Sequence, residues 1–322
     1  MAMSTAALRR SRSSIRTDFW PFFRDQRIVL PVGNKFPESH NRNSSLNTVS
    51  YSTMAADSKP NTTKEASDLL ISHWQKGTTL TEIPKDLQPA EASDGYAIQK
   101  HIMRLTSKPL FGWKIAATSV AGQQHINVTR PLAGRILEER VTRSGEKVSL
   151  GPSRMQVAEL EFVFRIGQSV KPRADPYSTS EAMDLVDGLF LGVEVPDSRY
   201  EDFTKVGAAQ LIADNACADR FVIGPEVTAD WRNADLTKHE VKGWKKGDEA
   251  FAVRIGSGKE VLGDPKIALT WIVNELSNHG MELGKGEFVT TGTCVVPIPI
   301  EPGDVVIGDY ASFGQIEVAF EK

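Results

Sequence analysis

The chain has 322 residues, of which 40% are hydrophobic and 25% charged, and its formal net charge is -3. No apolar stretch reaches the roughly 18 residues of a membrane-spanning helix, so we expect no membrane span. The first 53 residues carry eight Lys or Arg against three Asp or Glu, which leaves 30 basic and 38 acidic residues in the remainder. An acidic body argues against a nucleic-acid-binding surface, which needs clustered positive charge. We therefore expect an ordinary globular protein.

The amino-terminal segment has a composition of its own. Four arginines lie among many serines before the first acidic residue, Asp18. This pattern is typical of a mitochondrial presequence followed by a linker. The alternatives are an unstructured extension or translation from Met54, which would give a cytoplasmic product. We predict a presequence or disordered extension over 1–58 and a single catalytic domain over 59–322.

Helical spacing of apolar residues predicts three helices, over about 62–77, 90–107 and 264–280. In the first helix, Thr62 and Glu65 have the spacing of a capping box. In the third, Asp264 is the predicted N-cap and Pro265 occupies the first helical position. These signals give each of the two helices a defined start.

The pattern then changes to short strands, predicted over 111–116, 158–166, 189–195, 251–255, 305–310 and 316–320. Turns that contain Gly, Pro or Asp separate them. Helices come first and strands dominate the second half, without regular alternation of the two. The order therefore predicts an α+β fold rather than a doubly wound sheet.

Two acidic residues share one face of the predicted strand over 158–166. Strict alternation puts Leu160 and Phe162 on one face and Glu159 and Glu161 on the other. Two carboxylates side by side in a concave site repel, so a proton or a cation must neutralise them. A solvated strand face is the alternative interpretation.

Glu194 lies in the almost wholly apolar strand over 189–195, where an ionised carboxylate needs a partner. Three hard oxygen donors from two strands suit magnesium or manganese rather than zinc, and they leave positions open for water and substrate. We therefore predict that Glu159, Glu161 and Glu194 hold Mg²⁺ or Mn²⁺ in a catalytic site.

The two cysteines, Cys217 and Cys294, lie far apart and in no recognisable motif. They cannot form a zinc site or a disulfide framework by themselves. We expect two buried thiols in a reducing compartment.

Seven motifs follow one another from Ser67 to the carboxyl terminus. They are DGYAIQ (94–99), GWKIAATS (112–119), AELEFVF (158–164), LGVEVPDSR (191–199), LIADNA (211–216), VLGDPKIALTWIVNEL (261–276) and TTGTCVVPIPIEPGD (290–304). Together they resemble the fumarylacetoacetate hydrolase superfamily, and within it the group of vinylpyruvate hydratases and 4-oxalocrotonate decarboxylases. The resemblance implies a strand-rich mixed β-sandwich or roll with a helical amino-terminal part, and a homo-oligomer.

The resemblance also implies roles for individual residues. It makes Glu159, Glu161 and Glu194 the metal ligands, as their strand positions also predict. It makes Lys114 the catalytic residue. It implies substrate contacts for four further residues: Asp214, Asn215, Thr291 and Gly292. A lone lysine is usually a surface charge, and Asp-Asn and Thr-Gly pairs are often ordinary turns.

Two positions depart from the family pattern. Leu132 stands where hydratases of the group carry an acidic residue, and Cys217 stands where a serine often follows Ala-Asp-Asn-Ala. Leu132 cannot take part in a proton relay. A different substrate or a different proton donor is therefore expected.

The expected reaction is hydration of a small unsaturated 2-oxo acid whose carboxylate and 2-oxo oxygen bind the metal. Decarboxylation of a 2-oxo diacid and hydrolysis of an acylpyruvate use the same enolate chemistry and remain alternatives. A non-catalytic partner subunit of such an enzyme is another alternative, which Leu132 makes credible.

Overall fold

Residues 60–322 are the part of the chain that the computed structural model describes, so the predicted presequence lies outside the described residues. Within this part, no helix is both long and apolar enough to cross a membrane. The helices and strands confirm the predicted α+β class. The α-helices are α1 (Pro60–Lys76), α2 (Ala92–Gln99), α3 (Val120–His125), α4 (Thr179–Asp184), α5 (Ala208–Ala213) and α6 (Pro265–Asn278).

The strands divide between two sheets. They are β1 (Leu110–Ala116), β2 (Leu132–Leu137), β3 (Val141–Arg143), β4 (Lys147–Ser149), β5 (Val157–Ile166), β6 (Val186–Val195), β7 (Arg220–Glu226), β8 (Glu240–Lys245), β9 (Arg254–Ser257), β10 (Phe288–Thr293), β11 (Ile298–Pro299), β12 (Val305–Asp309) and β13 (Gln315–Glu321). The larger sheet has the order β2-β1-β10-β5-β6-β7-β3, with β11 also paired to β5. The smaller sheet has the order β4-β13-β12-β8-β9.

The larger sheet is mixed. Strand β1 runs parallel to β10 and β3 runs parallel to β7, whereas β5 lies between β10 and β6 and pairs with each of them in antiparallel fashion. Parallel neighbours require long connections. More than half of the chain separates β1 from β10 in the sequence. The centre of the sheet is therefore assembled from segments that are distant in the sequence.

The smaller sheet covers one face of β5. The ring of Phe162 lies 5.4 Å from that of Tyr310 and 6.3 Å from that of Phe313. A Cβ atom on Gly308 would lie 3.0 Å from Leu160, so a larger residue there would crowd the two sheets. Leu160 and Phe162 are fully buried, as alternation along the strand predicts.

Helix α6 begins as the sequence predicts. The side chain of Asp264 accepts a hydrogen bond from the backbone N–H of Lys266 at 2.8 Å, and Pro265 is the first helical residue. Gly280, just beyond the helix, has φ = +65° and ends it.

Three predicted elements differ from the structure. Helix α1 begins at Pro60, so Thr62 lies inside the helix and is not the N-cap of the predicted capping box. The helix predicted over 90–107 is α2 followed by a 3-10 helix, Lys100–Leu105. The strand predicted over 251–255 was wrong for its first three residues: β9 begins only at Arg254, and Phe251 is 91% exposed. The apolar side chains of residues 251–253 have the alternation of a strand, but they do not pack against the core.

Candidate metal centre

Strands β5 and β6 bring the three predicted metal ligands together. Glu159 pairs directly with Glu194 across the antiparallel ladder, and Glu161 lies two residues along β5 on the same face. One carboxylate oxygen from each residue lies within 4.8 Å of the others. Glu161 and Glu194 are buried, and Glu159 is partly exposed.

The three carboxylates are electrostatically unfavourable neighbours. Burial and the charge of Glu194 raise the pKa of Glu159 to about 7. Burial, together with the charges of Glu194 and Glu159, raises the pKa of Glu161 well above its usual range. Burial also raises the pKa of Glu194, although Lys114 opposes the change. The cluster has the electrostatics of a site that a proton or a cation must neutralise.

Glu161 is held in place by β10. The hydroxyl of Thr290 and the backbone N–H of Gly292, the latter at 2.7 Å, both donate to its Oε2. The ladder between β10 and β5 shifts register between Thr290 and Thr293, and Gly292 has φ = +106°. A Cβ atom at Gly292 would lie 2.1 Å from the Thr118 hydroxyl, so only glycine fits this position.

Lys114 lies on β1, which pairs with β10 at Thr290. Its Nζ is 2.9 Å from Glu194 Oε1 and donates to the Ala216 carbonyl at 3.0 Å. The side chain is only 4% exposed. Burial by itself would lower the pKa of Lys114, but Glu194 and Glu159 outweigh it and raise the pKa above its ordinary value. Lys114 is therefore a fixed cation beside the carboxylates.

A left-handed turn presents the Ala216 carbonyl to Lys114. Asn215, Ala216 and Cys217 have φ values of 57°, 50° and 61°, which are unfavourable for residues other than glycine. The Asn215 side chain accepts from the backbone N–H of Arg135 at 2.7 Å and donates to its carbonyl at 2.8 Å. A Cβ atom at Gly134 would lie 2.3 Å from the Asn215 carbonyl. Strand β2 thus fixes this strained turn.

The other residues predicted to contact substrate have partners within the protein. Both oxygens of the buried Asp214 carboxylate are engaged, one by the Arg199 guanidinium and the other by Ser198 Oγ at 2.8 Å. Thr291 donates to the Phe162 carbonyl at 3.0 Å. In this structure the side chains of Asp214, Asn215 and Thr291 bind other protein groups close to the site. The backbone N–H of Gly292 donates to Glu161.

The two departures from the family pattern are both buried. Leu132 is 1% exposed and pairs with Ala116 at the end of β1. Cys217 belongs to the left-handed turn, and burial raises the pKa of its thiol to about 12. Neither side chain is an acid near neutral pH. Cys217 and Cys294 are both free and buried, as the sequence predicts.

Sequence reasoning missed three parts of this centre. Thr290 lies beside the Thr291 and Gly292 that were singled out, but only the strand register shows which hydroxyl reaches Glu161. The Ala216 carbonyl has no side-chain signal. Arg199 ends the LGVEVPDSR motif (191–199), and its burial as the partner of Asp214 appears only in the fold.

The residues present fit a divalent cation. Glu161 Oε1 and Glu194 Oε2 are buried and accept no hydrogen bond from the described residues. Buried carboxylate oxygens without a donor are costly unless they are ionically compensated. Three hard oxygen donors, with no Cys or His in the cluster, match the preference of magnesium or manganese.

Comparisons with known proteins agree with the motif set. No family model matches the chain. A 2-keto-4-pentenoate hydratase of Paraburkholderia xenovorans is 26% identical over 266 residues, which cover 82% of this chain and 96% of that protein. A 4-oxalocrotonate decarboxylase of a Pseudomonas strain is 28% identical over 246 residues, which cover 74% of this chain and 90% of that protein.

One solved structure shares the fold over nearly its whole length. It is a 4-oxalocrotonate decarboxylase of Pseudomonas putida complexed with magnesium and adipate. Its TM-score is 0.72 at 23% identity, and the match covers 81% of this chain and 97% of that one. The predicted fold is thus confirmed, as is the resemblance to the hydratase and decarboxylase group.

Proposed function

We propose, on the premise that this chain is related to the 2-keto-4-pentenoate hydratases and 4-oxalocrotonate decarboxylases, that it is a divalent-metal-dependent hydro-lyase. Its substrate is a small unsaturated 2-oxo acid, or the 2-hydroxydienoic acid in equilibrium with it, and its product is a 4-hydroxy-2-oxo acid. The observation that carries the proposal is the convergence of Glu159, Glu161 and Glu194 beside Lys114.

In this proposal Glu159, Glu161 and Glu194 hold Mg²⁺ or Mn²⁺. When bound, the cation supplies a Lewis acid that stabilises negative charge on a 2-oxo acid. Thr290 and Gly292 orient Glu161, so that one of its oxygens stays available as a ligand while the other is occupied. Such support from surrounding residues fixes the direction of a ligating oxygen.

Lys114 is the proposed catalytic residue. Two contacts, with Glu194 and with the Ala216 carbonyl, fix its Nζ at the edge of the carboxylate cluster. An ammonium held there can donate a hydrogen bond to the substrate's developing enolate oxygen without reorganisation. Its 2.9 Å contact with Glu194 favours the charged ammonium, which suits stabilisation of negative charge better than removal of a proton.

The buried Leu132 favours a second candidate, decarboxylation of a 2-oxo diacid. Hydration needs a group that delivers water and a proton to the carbon–carbon double bond, and Leu132 offers neither. Loss of carbon dioxide needs only stabilisation of the resulting enolate, which the same carboxylates and Lys114 support. Hydrolysis of an acylpyruvate is less well supported, because within residues 60–322 no histidine joins the carboxylate cluster to act as a base.

The test uses the purified full chain with magnesium or manganese. Hydration is followed as loss of ultraviolet absorbance by 2-hydroxypenta-2,4-dienoate, and decarboxylation as release of carbon dioxide from 2-hydroxymuconate-type diacids. The expected result is metal-dependent turnover of one substrate, with loss of turnover in Glu159→Gln and in Lys114→Met. Full activity in Glu159→Gln or in metal-free enzyme would sink the proposal.

A non-catalytic partner subunit is distinguished in the same experiment. Such a subunit would bind the metal, as measured by calorimetry, and would turn over neither substrate. It would raise the activity of a related enzyme when mixed with it. The proposed enzyme needs no second chain type.

We further propose that residues 1–58 direct the chain to mitochondria and that the catalytic domain is 59–322, assembled as a homo-oligomer. The arginine-rich, acid-poor composition of the first 53 residues supports the targeting proposal. Import of the full chain into isolated mitochondria, with removal of the segment, tests it. Mass measurement by light scattering tests the oligomer.

A further inference from the structure

A cavity with a different lining lies close to the carboxylate cluster, and a small pocket that includes Glu194 shares Trp74, Arg140, Asp219 and Arg220 with it. The cavity has a volume of about 230 Å³ and opens beside the end of α1, between the loop that follows β4 and the start of β7. Four arginines and two aspartates line it: Arg140, Arg154, Arg199, Arg220, Asp197 and Asp219. The three glutamates and Lys114 do not line this cavity. Its lining thus has two positive charges in excess.

One of the four arginines is fully occupied by the protein. Arg199 is buried, and its guanidinium binds Asp214 and the carbonyls of Asp197 and Ala218. It therefore holds the loop in place and offers little to a ligand. The capacity for binding lies with the other three arginines.

Those three guanidiniums are weakly engaged. Arg140 Nη1 lies 3.4 Å from Asp219 Oδ1, and Arg154 Nη1 donates to the Tyr200 carbonyl at 3.0 Å. Arg220 Nε is 3.7 Å from Asp219 Oδ2, and within residues 60–322 it has no hydrogen-bond partner although it is buried. A guanidinium has five N–H donors, so most of these have no partner among the described residues.

Ser153 adds an unsatisfied hydroxyl to the same cavity. The residue is 6% exposed, and in the described part of the chain its Oγ has no hydrogen-bond partner. Buried hydroxyl groups are nearly always paired, so one that lines a cavity points to a partner that binds there. The Trp74 ring stacks on Arg140 at 4.2 Å and fixes the direction of that guanidinium.

We propose that this cavity binds a small organic anion through carboxylate or phosphate oxygens. Arg140, Arg154 and Arg220 are its charged partners and Ser153 is its hydroxyl partner. The planar fork of a guanidinium matches both oxyanions, so charge and geometry define the shared chemistry. The cavity is smaller than most ligand pockets, which restricts the ligand to a few non-hydrogen atoms. The inference does not depend on the proposed function.

Calorimetry of the full chain tests the proposal with two probes, inorganic phosphate and succinate. Both are titrated in metal-free buffer, so that neither binds through a cation, and sodium chloride keeps the ionic strength constant. We expect saturable binding of one probe more tightly than the other. Tighter binding of phosphate assigns a phosphorylated ligand, and tighter binding of succinate assigns a dicarboxylate.

Ser153→Ala and Arg154→Gln should each weaken binding about tenfold, the effect of losing one charge-assisted hydrogen bond. Because the Ser153 hydroxyl has no partner, Ser153→Ala should not lower the thermal midpoint without the probe. Arg173→Gln, at an arginine that pairs with Glu181 and does not line the cavity, is the matched control and should bind normally. The proposal is overturned if neither probe binds, or if both variants bind as tightly as the control.

Discussion

The two faces of β5 carry alternate residues of one strand but have opposite chemistry. On one face, Leu160 and Phe162 are fully buried against the smaller sheet. On the other, Glu159 and Glu161 meet Glu194 across the ladder. Burial of an aromatic or aliphatic side chain stabilises the fold by about 1.5–3 kcal/mol, whereas buried carboxylates without compensation destabilise it. The apolar face thus anchors the strand on which the acidic face depends.

The largest expected effect is on the apolar face. Phe162→Ala removes a ring that packs on Tyr310 and Phe313, so the free energy of unfolding should fall by about 3–5 kcal/mol. Urea denaturation measures this loss. The metal affinity of the molecules that remain folded should change little. If stability is unchanged and metal binding is lost, the two faces do not divide their roles as described.

The next effect is on the acidic face. Glu161→Gln keeps the shape and can still accept hydrogen bonds from Thr290 and Gly292, but it removes a ligand charge. We expect metal affinity to fall about a hundredfold or more, because even loss of a residue that only supports a ligand costs 10–100-fold. Without metal, the thermal midpoint should stay the same or rise, since an amide has no charge to desolvate. Calorimetry and thermal melting check both values.

A smaller effect is expected at a residue that binds a metal ligand but is not itself a ligand. Thr290→Val removes the hydroxyl that binds Glu161 and should lower metal affinity about 10-fold to 100-fold. The adjacent Thr291→Val is the matched control, because that hydroxyl binds the Phe162 carbonyl instead. It should reduce stability and leave metal affinity intact. Equal losses of affinity in both variants would show that neither threonine acts through Glu161.

The smallest effect lies on neither face. Asp264→Ala removes the N-cap of α6 and should lower the free energy of unfolding by about 1 kcal/mol. Metal affinity should not change. This variant sets the baseline for a purely structural substitution, against which the other three are compared by the same urea and calorimetric measurements.

The two faces also differ in how far the sequence predicts them. Alternation alone gives the buried face of β5, because the pattern is local and repeats every two residues. The acidic face requires the register with β6, which places Glu159 opposite Glu194, and alternation cannot supply that register. The catalytic role of Lys114 was predicted only from the family resemblance. Its partner, the Ala216 carbonyl, lies on a left-handed turn that no residue pattern predicts.

Some predicted site residues have hydrogen-bond partners within the protein, and their contact with substrate stays a prediction. Asp214 and Asn215 lie close to the centre, as the motif implies, but their side chains are satisfied by Arg199 and by the backbone of Arg135. A sequence motif indicates residues that lie together in the fold near the site. It does not separate those that touch a ligand from those that hold the loop beside it.

The parallel pairing of β1 with β10 has a consequence for how the chain folds. Lys114 meets Thr290 across more than half of the chain, so this contact has a high contact order and a large entropy of loop closure. During synthesis, Lys114 leaves the ribosome long before the strand that completes its surroundings. Because β10 lies between β1 and β5 in the sheet, a chain that ends before β10 lacks the strand that joins Lys114 to the carboxylates, however well its earlier helices form.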